Sequence, residues 1–261
     1  MSAPTLRGQF IALQNVLYAL MLRDIQTRFG SAPGFVIAIA WPLSHILILV
    51  LIYVLTGRVV PYGDSAVLWF SIGLTPFMII SYTSRFMMLG LVVNRPLLQF
   101  PVISILGVLF SRVLIELFVT SCVCVSLVLI FLYLDIDWMP ARPGAAAAAF
   151  LVSVALGTGL GIINGVIALA WEKWATVYAL LLILLWLTSG AYFLPSALPG
   201  PLRDLLYFHP AVHCIEWARY AWYENYTSLI LDREYVIGFT VLTIFIGLGL
   251  ERLLRGRLMY V

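Results

Sequence analysis

Six long apolar stretches divide this 261-residue chain, and almost every charged residue falls between them. A helix that crosses a bilayer needs about 20 mostly apolar residues to span a hydrocarbon core of roughly 30 Å. Gly34–Leu55, Val67–Gly90, Val113–Leu134, Ala145–Ala170, Ala175–Leu194 and Val236–Leu254 meet that requirement. Hydrophobic residues make up 63% of the chain and charged residues 10%, more apolar surface than a water-soluble domain of this length can bury. The expected fold class is an all-α membrane protein of six transmembrane helices, with no folded soluble domain.

The loops set an expected orientation. With the N-terminus inside, the cytoplasmic segments hold Arg7, Arg23, Arg28, Arg95, Lys173, Arg252, Arg255 and Arg257, against Arg58, Arg142, Arg203, Arg219 and Arg233 outside. That basic excess places both termini in the cytoplasm. The net charge of +3 is then a topology signal, and no basic run offers a footprint for nucleic acid. The stretch after Met1 contains Arg7, Gln9, Gln14 and Asn15, too polar for the core of a secretory signal peptide. Cys122 and Cys124 lie within a span and Cys214 stands apart, so the cysteines make no disulfide framework, and Cys-x-Cys is poor helical spacing for a metal.

Between and before the spans the pattern changes. In Thr5–Phe29, Leu6, Phe10, Leu13, Leu17, Leu20 and Met21 recur at helical spacing among polar residues, which predicts an amphipathic helix lying in the membrane interface. Ser31-Ala32-Pro33-Gly34 then turns the chain into the bilayer. Residues 1–33 are therefore read as an interfacial helix and turn, and 34–261 as the transmembrane domain. Pro42 and Pro76 bend their spans. Ala145, Ala149, Ser153, Gly157, Gly161 and Gly165 form a four-residue ladder of small side chains that admits a close neighbour, from within the chain or from a second copy. Asn94–Arg112 is long enough for a short cytoplasmic helix. Pro195–Arg233 is too polar to span, yet Trp217, Tyr220, Trp222, Tyr223 and Tyr226 crowd within it, which predicts a re-entrant or interfacial hairpin on the outer face.

Chemistry-bearing patterns are sparse. No Gly-x-x-x-x-Gly-Lys-Ser/Thr stretch appears, so ATP is not bound here by a P-loop. No cluster of Ser, His and carboxylate prepares a nucleophile. His209-x-x-x-His213 with Glu216 has metal-like spacing, but His209 precedes Pro210 at a helix start, where capping is the simpler role, and no metal is expected. Arg112 and Glu116, four apart, are expected to form a structural ion pair. The deepest ionisable side chain is His45, about 16 Å along the first span. Trp69, Trp171 and Trp174 fit an interfacial belt. Tyr82, Trp186 and Tyr192 sit in or beside bent or glycine-containing spans, where flat rings could stack on sugar faces while Arg85 meets an acidic group. His45, Trp69, Tyr82, Arg85, Trp186 and Tyr192 are the candidates for a substrate path.

Several stretches in order are similar to one family. Leu22-Arg23-Asp24-Ile25-Gln26-Thr27-Arg28-Phe29-Gly30, Trp41-Pro42-Leu43-Ser44-His45, Gly73-Leu74-Thr75-Pro76-Phe77, Asn94 with Ser111-Arg112-Val113-Leu114-Ile115-Glu116, and His209-Pro210-Ala211-Val212-His213-Cys214-Ile215-Glu216 resemble ABC-2-type permeases that export bacterial polysaccharides. They cover nearly the whole chain, and the likeness is greatest to the inner-membrane subunit of capsular polysaccharide exporters. The resemblance implies a half-transporter in the inner membrane: a homodimer with two separate ATP-binding subunits, a periplasmic adaptor and an outer-membrane channel. ATP and magnesium would sit on the partner ATPase, with no cofactor on this chain. Arg23, Asp24 and Arg28 would belong to a gate helix. Asn94, Arg95, Gln99 and Phe100, within 94–112, would couple to the ATPase. His209, Glu216, Trp217, Arg219 and Tyr220 would belong to the periplasmic hairpin, 195–233. The family often carries a Lys-Pro-x-Asp-type stretch after the coupling segment, where this chain reads Ser104-Ile105-Leu106-Gly107. That departure implies a coupling segment set deeper, or a different contact with the ATPase. The expected function is export of an acidic, lipid-linked capsular polysaccharide. O-antigen, teichoic acid or a small drug as cargo, a proton-coupled transporter, and a membrane enzyme acting on lipid-linked sugars are the alternatives.

Overall fold

In lipid a segment must satisfy its own backbone hydrogen bonds, so uninterrupted apolar stretches become helices. The computed structural model describes residues 6–30, 32–57, 59–99 and 105–258, with side chains over 14–27, 29–30, 33–57, 59–97 and 105–254. Its helices are α1 Leu6–Phe29, α2 Ala32–Leu55, α3 Ala66–Val93, α4 Ile105–Tyr133, α5 Pro143–Ala170, α6 Trp174–Leu187, α7 Gly200–Tyr207, α8 Pro210–Trp222 and α9 Arg233–Leu258. Short 3-10 turns follow α3 (Arg95–Gln99) and precede α7 (Pro195–Ala197), and no strand occurs among the described residues. Five helices, α2, α3, α4, α5 and α9, are long and apolar enough to cross a membrane. The chain is a multi-pass, all-helical membrane protein.

The fifth expected span, Ala175–Leu194, is corrected by the structure. α6 stops at Leu187, 14 residues after it begins. Thr188 Oγ1 bonds back to the Leu184 carbonyl at 3.0 Å and Ser189 Oγ to the Trp186 carbonyl at 2.8 Å. Gly190 then takes a φ of +75°, which a residue with a Cβ rarely adopts. Apolar composition continued through 188–194, but this local chemistry ends the helix.

α5 lies between α3 and α9, and its small-residue ladder faces α3. A Cβ at Gly157 would stand 2.9 Å from the Thr83 Cβ, and one at Gly161 would run into the Met87 side chain. The ladder is thus occupied within the chain. On the other side of α5, Gly159 lies against Thr243 of α9. α8 is inserted beside this pair, with Val212, Cys214, Ile215 and Ala221 fully buried. The two largest apolar cores among the described residues lie towards different ends of the bundle. One holds Trp69, Phe70, Leu74, Phe131, Leu156 and Ile215 at the end where α8 sits, the hairpin end. The other holds Leu20, Met87, Leu91, Ile105, Val108 and Leu169 at the α1 end. Pro42 and Pro76 fall inside α2 and α3, and both helices continue through them.

Candidate transport path and coupling site

At the α1 end, the helix that precedes the first span turns polar side chains inward. Asp24 is buried beside Leu20 and Phe29, while Tyr18, Leu22 and Ile25 are exposed. Burying a carboxylate is tolerable only with partners. Arg112 Nη1 of α4 stands 3.5 Å from Asp24 Oδ2, and the same side chain passes across Gly90 of α3, where a Cβ would obstruct it. Arg23 Nη1 donates to the Asn94 Oδ1. Asn94 is itself the C-cap of α3: its backbone N–H and its Nδ2 both donate to the Gly90 carbonyl, at 3.2 and 2.8 Å. Two polar ties therefore join α1 to the facing ends of α3 and α4. Arg95 is half-buried in the turn that follows. Glu116, the expected partner of Arg112, lies buried one turn further along α4. The side chains of Arg28 and Gln99, and all of Phe100, lie outside the described residues.

The candidate path residues fall into two ring stations along α2 and one buried site. His45 Nδ1 is 3.1 Å from the Tyr82 hydroxyl, and Tyr82 stacks on Phe86. Further along α2, Tyr53 stacks on Tyr192 at 6.3 Å between centroids, and Tyr192 meets Trp186 at 5.6 Å. The Tyr192 hydroxyl donates to the Leu187 carbonyl. Arg85 is exposed, one turn beyond Tyr82 on α3. Trp69 is different. It is 2% exposed, enclosed by Tyr62, Tyr223 and Tyr226, with the Arg219 guanidinium 4.6 Å from its ring centroid. Its ring offers no free face within one chain. Sequence reasoning did not single out Tyr53; the i, i+4 series Trp41, His45, Leu49, Tyr53 on one face of α2 was the available signal.

The hairpin end is organised around Arg219. This side chain is fully buried and donates to Glu216 Oε1 at 2.9 Å, to the Gly190 and Ala191 carbonyls at 2.9 and 3.1 Å, and to the Phe193 carbonyl at 3.3 Å. It thereby satisfies carbonyls of the turn that follows α6. Glu216 Oε2 accepts from the Tyr226 hydroxyl at 2.8 Å and from Ser228 Oγ. His209 caps α8: Nδ1 accepts from the Ala211 N–H at 3.2 Å, and Nε2 reaches the Leu185 carbonyl at 3.0 Å. His213 Nδ1 accepts from the Asp232 N–H at 3.0 Å, leaving Nε2 to donate to the Tyr207 carbonyl at 2.7 Å. Burial holds both imidazoles below the ordinary histidine value of 6.5. The Tyr207 hydroxyl, donating at 2.6 Å to Asp232 Oδ2, keeps that carboxyl below its usual value. Tyr220 lies between Arg142 and Arg233, whose guanidiniums stand 4.1 and 4.5 Å from its ring centroid. The Trp217 side chain is buried, 5.5 Å from the Arg233 guanidinium. Both ring nitrogens of His209 and His213 are committed to backbone groups, which is capping chemistry. Among the described residues no group of three His, Cys, Asp or Glu side chains gathers as a metal site.

Known proteins share this arrangement of sequence. The chain is 29% identical to the polysialic acid transport protein KpsM of Escherichia coli over 261 residues, covering 94% of this chain and 96% of the relative. It is 23% identical over 240 residues to the capsule polysaccharide export inner-membrane protein CtrC of Neisseria meningitidis serogroup A, covering 90% and 89%. The capsule polysaccharide export inner-membrane protein BexB of Haemophilus influenzae is 24% identical over 228 residues, 83% of each chain. The ABC-2 type transporter family matches residues 15–223, from within α1 to the end of α8. A match running through both polar ends of this bundle makes the chain a member of the ABC-2 type transporter family.

Proposed function

We propose that this chain is the permease subunit of an ATP-driven exporter that moves an acidic, lipid-linked capsular polysaccharide from the cytoplasm across the bacterial inner membrane. The relatives over nearly its full length, named for polysialic acid transport and capsule polysaccharide export, support the cargo class. One observation carries the mechanism: the paired ties Arg23 to Asn94 and Asp24 to Arg112, which link α1 to both ends of the segment 94–112. In this reading 94–112 faces the cytoplasm and seats a separate ATP-binding subunit, which holds ATP and magnesium. A shift of that segment moves Asn94 and Arg112 together, and α1 follows them as a gate. α1 packs on α2 and α4, and the α2 face bearing His45, with Tyr82 and Arg85 on α3 beside it, is open to the polymer. Arg85 attracts the anionic polymer. The rings at Tyr82, Trp186 and Tyr192 offer sugar faces many weak contacts, so the chain can slide. Two copies, two ATPase subunits, a periplasmic adaptor and an outer-membrane channel complete the exporter, with the hairpin facing the periplasm.

The test is isolation of the tagged chain in mild detergent, followed by mass spectrometry and an ATPase assay. A stoichiometric P-loop subunit with vanadate-sensitive activity, and loss of surface capsule when the gene is deleted, are expected. Recovery of the chain alone, with capsule intact in the deletion strain, would overturn the reading.

A further inference from the structure

Neither the ring stations nor the hairpin network uses a cavity of about 250 Å³ at the hairpin end, between α4 and α5. These two helices barely touch each other. Val128 and Phe131 of α4, Ala146 and Phe150 of α5, and Ile72 and Pro76 of α3 form its apolar walls. Beyond those walls, α4 and α5 expose Val125, Leu129, Leu132 and Leu151, the surface of a helix that faces hydrocarbon. A molecule reaching the cavity from that side is one already dissolved in the bilayer.

Two further features narrow the occupant. Trp138 and Trp222 line the cavity, the Trp222 Nε1–H donating at 2.8 Å to the Trp138 carbonyl. Indoles concentrate at headgroup depth, so the cavity starts where a lipid's chains begin. Ser71 also lines it, about 8 Å along α3 from Ala66. The Ser71 hydroxyl is buried and, among the described residues, has no hydrogen-bond partner. Thr75 Oγ1 is committed to the Ser71 carbonyl at 2.7 Å, and Ser153 Oγ to the Ala149 carbonyl at 2.7 Å. A buried hydroxyl left without an acceptor is costly. Water is a poor occupant, because it needs two to four polar partners and these walls are apolar. A polyprenyl chain would match the walls but brings no carbonyl to Ser71. An acyl chain joined through an ester supplies both.

We propose that this cavity binds one acyl chain of an ester-linked bilayer phospholipid, with the Ser71 hydroxyl donating to the ester carbonyl. The lipid acts as a wedge that keeps α4 and α5 apart at the hairpin end. The assignment rests on the membrane-spanning bundle and is independent of the polysaccharide cargo.

The experiment uses the full chain in nanodiscs of phosphatidylethanolamine and phosphatidylglycerol, the latter partly carrying a diazirine within one acyl chain. After irradiation, adducts are located by peptide mass spectrometry. Adducts on Val128 and Phe150 are expected, and Ala146→Trp should lower them by about ten-fold as protein refills the volume. Adducts on outward-facing Leu129 and Leu151 should persist. Val128→Phe is the second filling variant, should Ala146→Trp fail to fold, and is read at Phe150. Ser71→Ala, which keeps the shape of the cavity, should lower cavity adducts about five-fold through loss of one net hydrogen bond. Equal labelling of cavity and outward residues, unchanged by the filling variants, overturns the proposal. So does preferential cavity labelling by a diazirine-bearing polyprenyl phosphate that Ser71→Ala leaves unchanged, which would assign the cavity to an isoprenoid anchor.

Discussion

The two ends of this bundle each bury a carboxylate against an arginine, and they do so differently. At the hairpin end Glu216 and Arg219 sit three residues apart on one helix, both nearly inaccessible, with hydroxyls on the carboxylate and three carbonyls on the guanidinium. At the α1 end Asp24 and Arg112 come from helices far apart in sequence, meet at 3.5 Å, and retain some exposure. A buried network in which the carboxylate and both terminal guanidinium nitrogens are paired is costly to open, because each group it releases is left unpaired in a low dielectric. The longer Asp24–Arg112 pair has fewer hydrogen bonds holding it in place, and its side chains keep a little contact with solvent. The hairpin end is therefore the more densely tied of the two, and the α1 end the more sparsely tied.

The largest way to break that contrast is Arg219→Ala. It strands the Glu216 carboxylate and the carbonyls of residues 190, 191 and 193, and should cost about 3–5 kcal/mol, read as loss of monodisperse protein in detergent. A variant that keeps its thermal midpoint would remove the claim that this end is the more densely tied. Next, Gly161→Val forces a β-branched side chain against Met87 and the Ser84 carbonyl. Overpacking of the α3–α5 seam should cost about 1–3 kcal/mol in thermal unfolding, whereas Gly144→Val, with open space around it, should be well tolerated.

Arg23→Ala is expected to be smaller in stability, about 1 kcal/mol from an unsatisfied Asn94 amide oxygen, yet large in function. Export should fall steeply while the ATPase partner is still recovered, and unchanged export would show that the tie transmits nothing. The smallest effect is acidification. Burial holds His213 and His209 below 6.5, so the folded protein keeps them neutral at a pH where the unfolded chain takes up protons. Their stability contribution is complete above 6.5 and is lost as pH falls below it. Asp232, lowered by Tyr207 and by the backbone N–H of Tyr235, stays ionised through that window, and Glu216 and Tyr207 complete the surroundings of His213. The thermal midpoint should drop modestly from pH 7.5 to 5.5, and His213→Asn should flatten the slope.

Much of the fold was legible because apolar length is a direct physical signal. The expected spans that became α2, α3, α5 and α9 begin within three residues of the helices observed, and α4 begins earlier than expected because its first turns are equally apolar. The ladder from Ala145 to Gly165 announced a close neighbour, but spacing alone names no partner, and α3 emerged only in three dimensions. Hydropathy also carried the fifth span through residues 188–194, since Thr, Ser and Gly are unremarkable in such averages while their hydrogen bonds and backbone angles end a helix. Arg23, Asp24 and Asn94 were identifiable as candidates. That two of them tie α1 inward depends on contacts 71 and 88 residues apart, which no local pattern encodes. Arg219 was one charge among several in a polar loop. Its importance comes from where α6 stops.

That stop has a consequence for the membrane itself. A helix of 14 residues rises about 21 Å, some 9 Å short of the hydrocarbon core. Hydrophobic mismatch of this kind is relieved by thinning the adjacent leaflet, at a fraction of a kcal/mol per Å. With Arg219 supplying hydrogen bonds to the turn, a helix this short can end below the level of its longer neighbours, and a bilayer matched to it would have to be thinner beside α6 than beside them.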